Sequence, residues 1–337
     1  MRTTTSIMAA FFIFAQSLFA PAAMADSKTL CVYDPAGKTG DYYKIMDEFA
    51  MEASAWGVEV NLTAYTDEET AKKDFMAKRC DGVVATGVRL QRLNTFPSTI
   101  EAMGALPDYD HLKQVLLALA KYDTAAKDLE KGEYTTIGFI PVGAVYLYVR
   151  DRNITSASDL AGKRIATMDY DKAAPVLVKR LGGVMVPADL GSIGPKFNNA
   201  DVDACYMTAS GYVPFELSRG LENGGGIVRF PLAQGTLQVL LRNSAFSVDF
   251  RTKARKAFYK TYDKAYAAIQ KAESGIPEKY WIDIPAASIP EWESMFLEVR
   301  LELRDTVKAY HPKMLSALRN IRCMNNKERA ECAAKRE

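Results

Sequence analysis

The tripeptide Gly37-Lys38-Thr39, inside "CVYDPAGKTGDYYKIMDEFA" (residues 31–50), carries the ending of a phosphate-binding loop. A full loop needs G-x-x-x-x-G-K-[ST], because the first glycine lets the backbone wrap until its N–H groups converge on phosphate oxygens. Here that position is Val32, inside a strand-like run, so the wrap cannot form. Asp41, the expected cap of the following helix, also places a carboxylate where a phosphate would sit, and the two charges repel. The nucleotide reading fails on both counts. What remains is a polar loop after the first strand, the place where open α/β sheets hold ligands. Tyr33, Asp34, Lys38 and Thr39 are its candidates to face one.

Equivalent polar loops follow three other strand-like runs: Thr86-Gly87-Val88-Arg89, Thr167-Met168-Asp169-Tyr170 and Thr208-Ala209-Ser210-Gly211-Tyr212. They add Thr86, Arg89, Asp169, Tyr170, Thr208, Ser210 and Tyr212 to the candidates. Tyrosine rings supply apolar walls, and a few polar groups fix orientation. Asp34 and Asp169 beside tyrosines suit a cationic ligand through cation–π contact. Arg89 suits an anionic one, or else forms a surface ion pair alongside Arg92. The sign of the ligand's charge is therefore open.

No residue pattern points to catalysis or to a metal or other cofactor. There is no G-x-S-x-G elbow, and the only two histidines, His111 and His311, lie in helical settings without a nearby nucleophile or cysteine at ligand spacing.

The elements that must position these loops alternate in type. "TLCVYD", "GVEVNLTAY" and "CDGVVATG" read as strands, separated by a helix begun at Asp41 with Tyr42, Ile45, Met46 and Phe49 on one face, and by another begun at residues 66–69. Such alternation implies right-handed crossovers and a parallel sheet. A helix is expected over residues 109–129 and a long strand over 135–150. The strand–helix–strand theme then restarts in residues 160–210, so two similar lobes are expected. Residues 224–243 read as a return crossing with a strand at 239–241. The C-terminal third is helical: an apolar stripe runs through residues 247–271, and Ser288-Ile289-Pro290-Glu291 has the form of a capping box. The expected architecture is α/β: mixed sheets flanked by helices, with lobe 1 in residues 26–150, lobe 2 in 151–232, and a return to lobe 1 plus C-terminal helices in 233–337.

The N-terminus sets the compartment. Arg2, an apolar run over residues 7–20 and Ala23-Met24-Ala25 form an export signal of 25 residues, cleaved after Ala25. The run is too short for a membrane anchor. Lys+Arg 43 against Asp+Glu 41 gives no bulk charge to attract nucleic acid or an anionic membrane. Of the five cysteines, Cys323 and Cys332 can staple a polar C-terminal tail. Cys31 and Cys80 can bridge if their strands are neighbours and their Cα atoms come within about 7 Å. Cys205 reads as a small core residue.

"ITSASDLAGKRIATMDYDKAAPVLVKRLGGVMVPADLG" and "NNADVDACYMTASGYVPFEL" resemble the second lobe of periplasmic type II solute-binding proteins, and the helical C-terminal third is similar to TRAP-type, DctP-like receptors. "CVYDPAGKTGDYY", "WGVEVNLTAYTDEE" and "RCDGVVATGVRLQRLNTF" resemble a less-studied group of solute-binding proteins sometimes labelled as associated with RND-type efflux. The resemblance is best over residues 150–270. It implies a two-lobed periplasmic receptor, monomeric, that captures a small polar solute in its cleft and delivers it to a membrane transporter. The alternatives are a hydrolase-like periplasmic enzyme and an efflux accessory protein. One departure stands out. DctP-like receptors clamp a ligand carboxylate with an arginine in the strand after "DL-x-GlK-i". That position here is Ala166, with Lys163 and Arg164 before it, so the resemblance does not carry organic-acid specificity.

Overall fold

A computed structural model describes residues 26–337. The export segment and its cleavage point after Ala25 lie outside the described residues. The first three strands are β1 (Asp26–Tyr33), β2 (Val58–Tyr65) and β3 (Gly82–Thr86), with helices α1 (Asp41–Ser54) and α2 (Glu68–Met76) between them. β1 pairs parallel with both β2 and β3, as the alternating pattern predicts. A two-residue β4 (Glu130–Lys131) turns into β5 (Tyr134–Val149). Then come β6 (Arg164–Met168), β7 (Val184–Ala188), β8 (Ala204–Thr208), β9 (Gly226–Arg242) and a short β10 (Trp281–Ile282). The main path of the sheet runs β2-β1-β3-β9-β5-β8-β6-β7.

β5 and β9 make the two lobes parts of one sheet. They pair antiparallel along nearly their whole length, from Tyr134 opposite Arg242 to Val149 opposite Gly226. One end of this ribbon carries β3, on residues 237–241 of β9; the other carries β8, on residues 145–149 of β5. Between the two ends the register slips at Pro141/Gly143 and at Val145/Leu147. Each slip adds a local bend and twist, and Gly143 takes φ +108°, which a side chain resists. The ribbon is thus bent at the join between the two halves. The expected division at residue 232 falls within β9. That strand is far longer than the 239–241 segment expected, since Pro231 and Gly235 interrupt its sequence pattern.

Several expected boundaries differ, each for a local reason. α1 starts at Asp41, but its N-cap is Gly40 and Asp41 makes no cap; the carboxylate of Asp34, eight residues back, accepts from Tyr42 N. The helix expected over 109–129 breaks at Tyr122, because Arg255 reaches in to donate to the carbonyls of Leu119 (2.8 Å) and Ala120 (2.7 Å) and to the carboxylate of Asp123 (2.6 Å). The stripe over 247–271 is two helices, Val248–Phe258 and Tyr262–Ser274, joined by a single tighter turn. The capping box does not close: Ser288 makes no side-chain cap, and Glu291 accepts instead from Ser158 N at 2.8 Å.

The C-terminal helices pack as their apolar stripes require. Phe250, Ala254 and Phe258 join the core beneath β1 and β3, whereas Trp292, Phe296 and Val299 pack with Leu177 of the helix Ala173–Arg180 in the other half. Arg180 also donates to Glu302 at 2.6 Å. The C-terminal segment therefore buttresses both halves. Cys31 and Cys80 are disulfide-bonded with Cα atoms 5.8 Å apart, tying β1 to the entry of β3. Cys323 and Cys332 are bonded likewise at 5.6 Å, and Cys205 is free and buried. Beside the second bridge, Glu331 and Glu337 meet the buried guanidinium groups of Arg300 and Arg322. Among the described residues, no helix is long and apolar enough to cross a membrane.

Candidate functional site

The strand-end loops converge on a cavity of about 660 Å³ between the two halves of the sheet. Its walls are largely apolar and aromatic. Of the sequence candidates, Tyr33, Asp34, Thr39, Thr86, Tyr170, Thr208, Ser210 and Tyr212 line it. Lys38, Arg89 and Asp169 lie outside the lining, and Lys38 and Asp169 are exposed.

Asp34 lies on the wall, but its oxygens are already engaged. They accept from the backbone N–H groups of Ala36 (2.8 Å), Tyr42 (3.0 Å) and Tyr43 (3.1 Å), which closes the loop and caps α1 from outside the helix. Burial pushes its carboxyl up, and these three donors pull it back. A Cβ at Gly40 would fall 2.0 Å from the Asp34 carboxylate, so only glycine fits there. The polar loop that imitates a phosphate cradle is therefore an aspartate-held turn. Thr39 completes it, donating to Ala36 O at 2.9 Å.

Arg89 is neither a free ligand cation nor a surface group. It follows β3 in the short helix α3 (Gly87–Leu90), which Thr86 caps. Its guanidinium donates to Glu68 (3.3 Å) and Glu69 (2.9 Å), and its side chain is only 9% exposed. The same group lies 3.4 Å over the ring centroid of Tyr170, which belongs to the other half of the sheet. Ser210, in the loop after β8, and Tyr42, in α1, both line the cavity, and burial pushes the pKa of Tyr42 up to about 12. Ser210 also meets Thr208 at 2.8 Å. Arg164 points away, bound to Asp203 (2.8 Å) and to Ala200 O (2.9 Å), so neither arginine faces the cavity.

Sequence reading missed Glu101, Asp171, Gln234 and Tyr310, all of which line the cavity. Asp171 stands two residues after the candidate Asp169, at the entry to a helix, a position where an aspartate commonly caps. It accepts from Ala173 N at 2.7 Å and from the Tyr206 hydroxyl at 2.9 Å. Gln234 was visible as a polar residue in the apolar run "PLAQGTLQVLL". Glu101 and Tyr310 gave no local signal. His111 and His311 lie outside the lining: the first is bound to Asp108, and the second packs edge-on against Phe96.

A bent two-stranded ribbon joining two sheet halves, with a ligand-sized cavity at the join, defines a two-lobed solute receptor. Residues 48–337 match the family described as solute-binding protein AdeT 1/2, and the chain belongs to that family. It is 36% identical over 304 residues to the probable solute-binding protein AdeT1 of Acinetobacter baumannii, covering 90% of this chain and 99% of that one. It is also 22% identical over 236 residues to the probable solute-binding protein AdeT2 of the same organism, covering 69% of this chain and 98% of that one. The fold is that of TRAP periplasmic solute-binding proteins. One from Desulfovibrio salexigens, with bound orotic acid, superposes with a TM-score of 0.71 at 14% identity, covering 89% of this chain and 99% of that one. Another from Rhodoferax ferrireducens, with bound malonate, gives 0.68 at 12% identity, covering 88% and 98%.

Proposed function

We propose that this protein is an exported periplasmic receptor that closes on a small solute between the halves of its sheet and presents it to a membrane transporter. It acts as a monomer and without turnover. The observation that carries this reading is the 660 Å³ cavity, bounded by residues from both halves. The contact of Arg89 with Tyr170 joins the halves beside it. Walls that meet around a ligand-sized space suit capture by hinge closure, and a volume near that figure suits a ligand of metabolite to drug size. Tyr33, Thr86, Tyr170, Thr208, Ser210 and Tyr212 are the candidate residues that would contact it; Asp34 and Thr39 shape the loop beneath. Two disulfides accord with an oxidising compartment.

The test is a thermal-unfolding screen of the mature protein against a solute panel, with small-angle scattering on each hit. Saturating ligand at a hundred times Kd is expected to stabilise by about 2.7 kcal/mol, with a fall in radius of gyration and no loss of ligand. Consumption of the hit, or stabilisation with unchanged dimensions, would count against a closing receptor.

A further inference from the structure

Resting on that reading of the cavity, we propose that its ligand is an organic cation, a protonated amine on an apolar body, whose charge is balanced by Glu101 and Asp171 and whose N–H donates to Gln234.

Both carboxylates face the cavity with neutral partners only. Glu101 accepts from Gly87 N (2.9 Å), Val88 N (2.8 Å), Thr236 N (3.0 Å) and the Thr236 hydroxyl (2.6 Å). Asp171 accepts from Ala173 N (2.7 Å), Ala174 N (3.3 Å) and the Tyr206 hydroxyl (2.9 Å). No basic side chain among the described residues forms an ion pair with either, and enclosure raises the pKa of both. Both line the same cavity, together with Tyr310. Enclosed carboxyls without a cation favour their neutral forms, and a bound cation would draw both toward the charged form.

Gln234 points to the same ligand independently. It is 1% exposed, and its side-chain nitrogen donates to the carbonyl of Leu106 at 3.5 Å. Among the described residues, its side-chain oxygen has no hydrogen-bond partner. A buried acceptor without a donor is costly, and the donor it lacks is what an ammonium supplies. A carboxylate ligand would meet repulsion from both acids once they are charged and would give the Gln234 oxygen no donor. The cations on the lining, Lys44 and Lys271, are exposed, and Arg89 is held by Glu68 and Glu69. Tyr33 and Tyr42 provide the aromatic surface for the apolar body and for cation–π contact.

The experiment is calorimetry on the mature protein with matched probes: a set of alkyl- and arylalkylamines, each with its carboxylate and alcohol counterpart. Amines are expected to bind at least tenfold more tightly than the matching carboxylates. E101Q and D171N should each weaken the amine about tenfold while barely changing the alcohol. Because those acids also bind backbone, Q234L gives a second route: it should weaken the amine several-fold in a protein whose melting temperature does not fall. Carboxylates binding as tightly as amines, or amine affinity indifferent to all three substitutions, would overturn the charge assignment. If only alcohols or carboxylates bind and close the protein, the receptor reading stands and the cation is rejected. If no probe of any charge binds, both fail.

Discussion

The guanidinium of Arg89 lies 3.4 Å over the ring centroid of Tyr170, joining the loop after β3 to the loop after β6 across the mouth between the two halves. On the near side, Glu68 and Glu69 hold the arginine beside that ring. The contact exists only when the halves are together, so it contributes to the closed state and not to the fold of either half. Replacing Tyr170 with Leu removes the π face and leaves the arginine's ion pairs in place. The closed state should lose about 0.5–2 kcal/mol, read as a several-fold weaker ligand affinity and a larger radius of gyration in scattering. Y170F should behave as wild type. Equal affinity in Y170L would show that the stack contributes nothing to closure.

Glu101 should make stability fall as pH rises. Its pKa is raised by enclosure from 4.5 to about 7, against the pull of four hydrogen bonds. Between those two values the unfolded chain has released this proton and the folded protein still holds it, so folding becomes less favourable with increasing pH. The slope is at most about 1.4 kcal/mol per pH unit from this one group. Above about pH 7 the penalty is complete and the slope vanishes. Urea unfolding of wild type and E101Q at pH 5 and pH 7.5 checks this. The variant should lose less stability across that interval, and parallel curves would contradict the assignment.

The aspartate-held turn after β1 predicts a cost with a clear origin. D34N retains one acceptor oxygen and turns an NH₂ group toward the remaining backbone donors. The start of α1 then loses satisfied N–H groups, and stability should drop by about 1–3 kcal/mol, measured by chemical denaturation. G40A should be at least as harmful, because its new methyl falls on the Asp34 carboxylate.

The two disulfides should differ in their worth. Cys31 and Cys80 close a loop of sequence separation 49, and Cys323 and Cys332 one of 9. By loop-closure entropy the first contributes about 4 kcal/mol and the second roughly 2.5 kcal/mol. Unfolding of the C31S/C80S and C323S/C332S double variants should rank them in that order. The reverse order would place more of the tail's stability in its disulfide than in the Arg300, Arg322, Glu331 and Glu337 network beside it.

Much of this protein was legible in its sequence. Alternating apolar residues in "GVEVNLTAY" and the helical spacing of Ile45, Met46 and Phe49 fix which faces are buried, because burial of those side chains is the main force on each element. Val32 alone excludes a phosphate loop, since a missing glycine is a local fact. The loops after β1, β3 and β8 were recognisable as cavity loops because a parallel strand delivers its C-terminal end to one edge of the sheet.

What sequence could not decide was the identity of each side chain's partner. Asp34 and Asp41 are both plausible caps for α1, and only the fold of the turn brings Asp34 onto the helix's N–H groups. Arg89 could have met a ligand or water; its position beside α2 gives it to Glu68 and Glu69, and the approach of the second half gives it Tyr170. Glu101, Asp171, Gln234 and Tyr310 come from four separated segments with no shared motif. They line one cavity because β5 and β9 pair across both halves, and hydrogen-bond pairing over such sequence distances is a property of the folded chain alone.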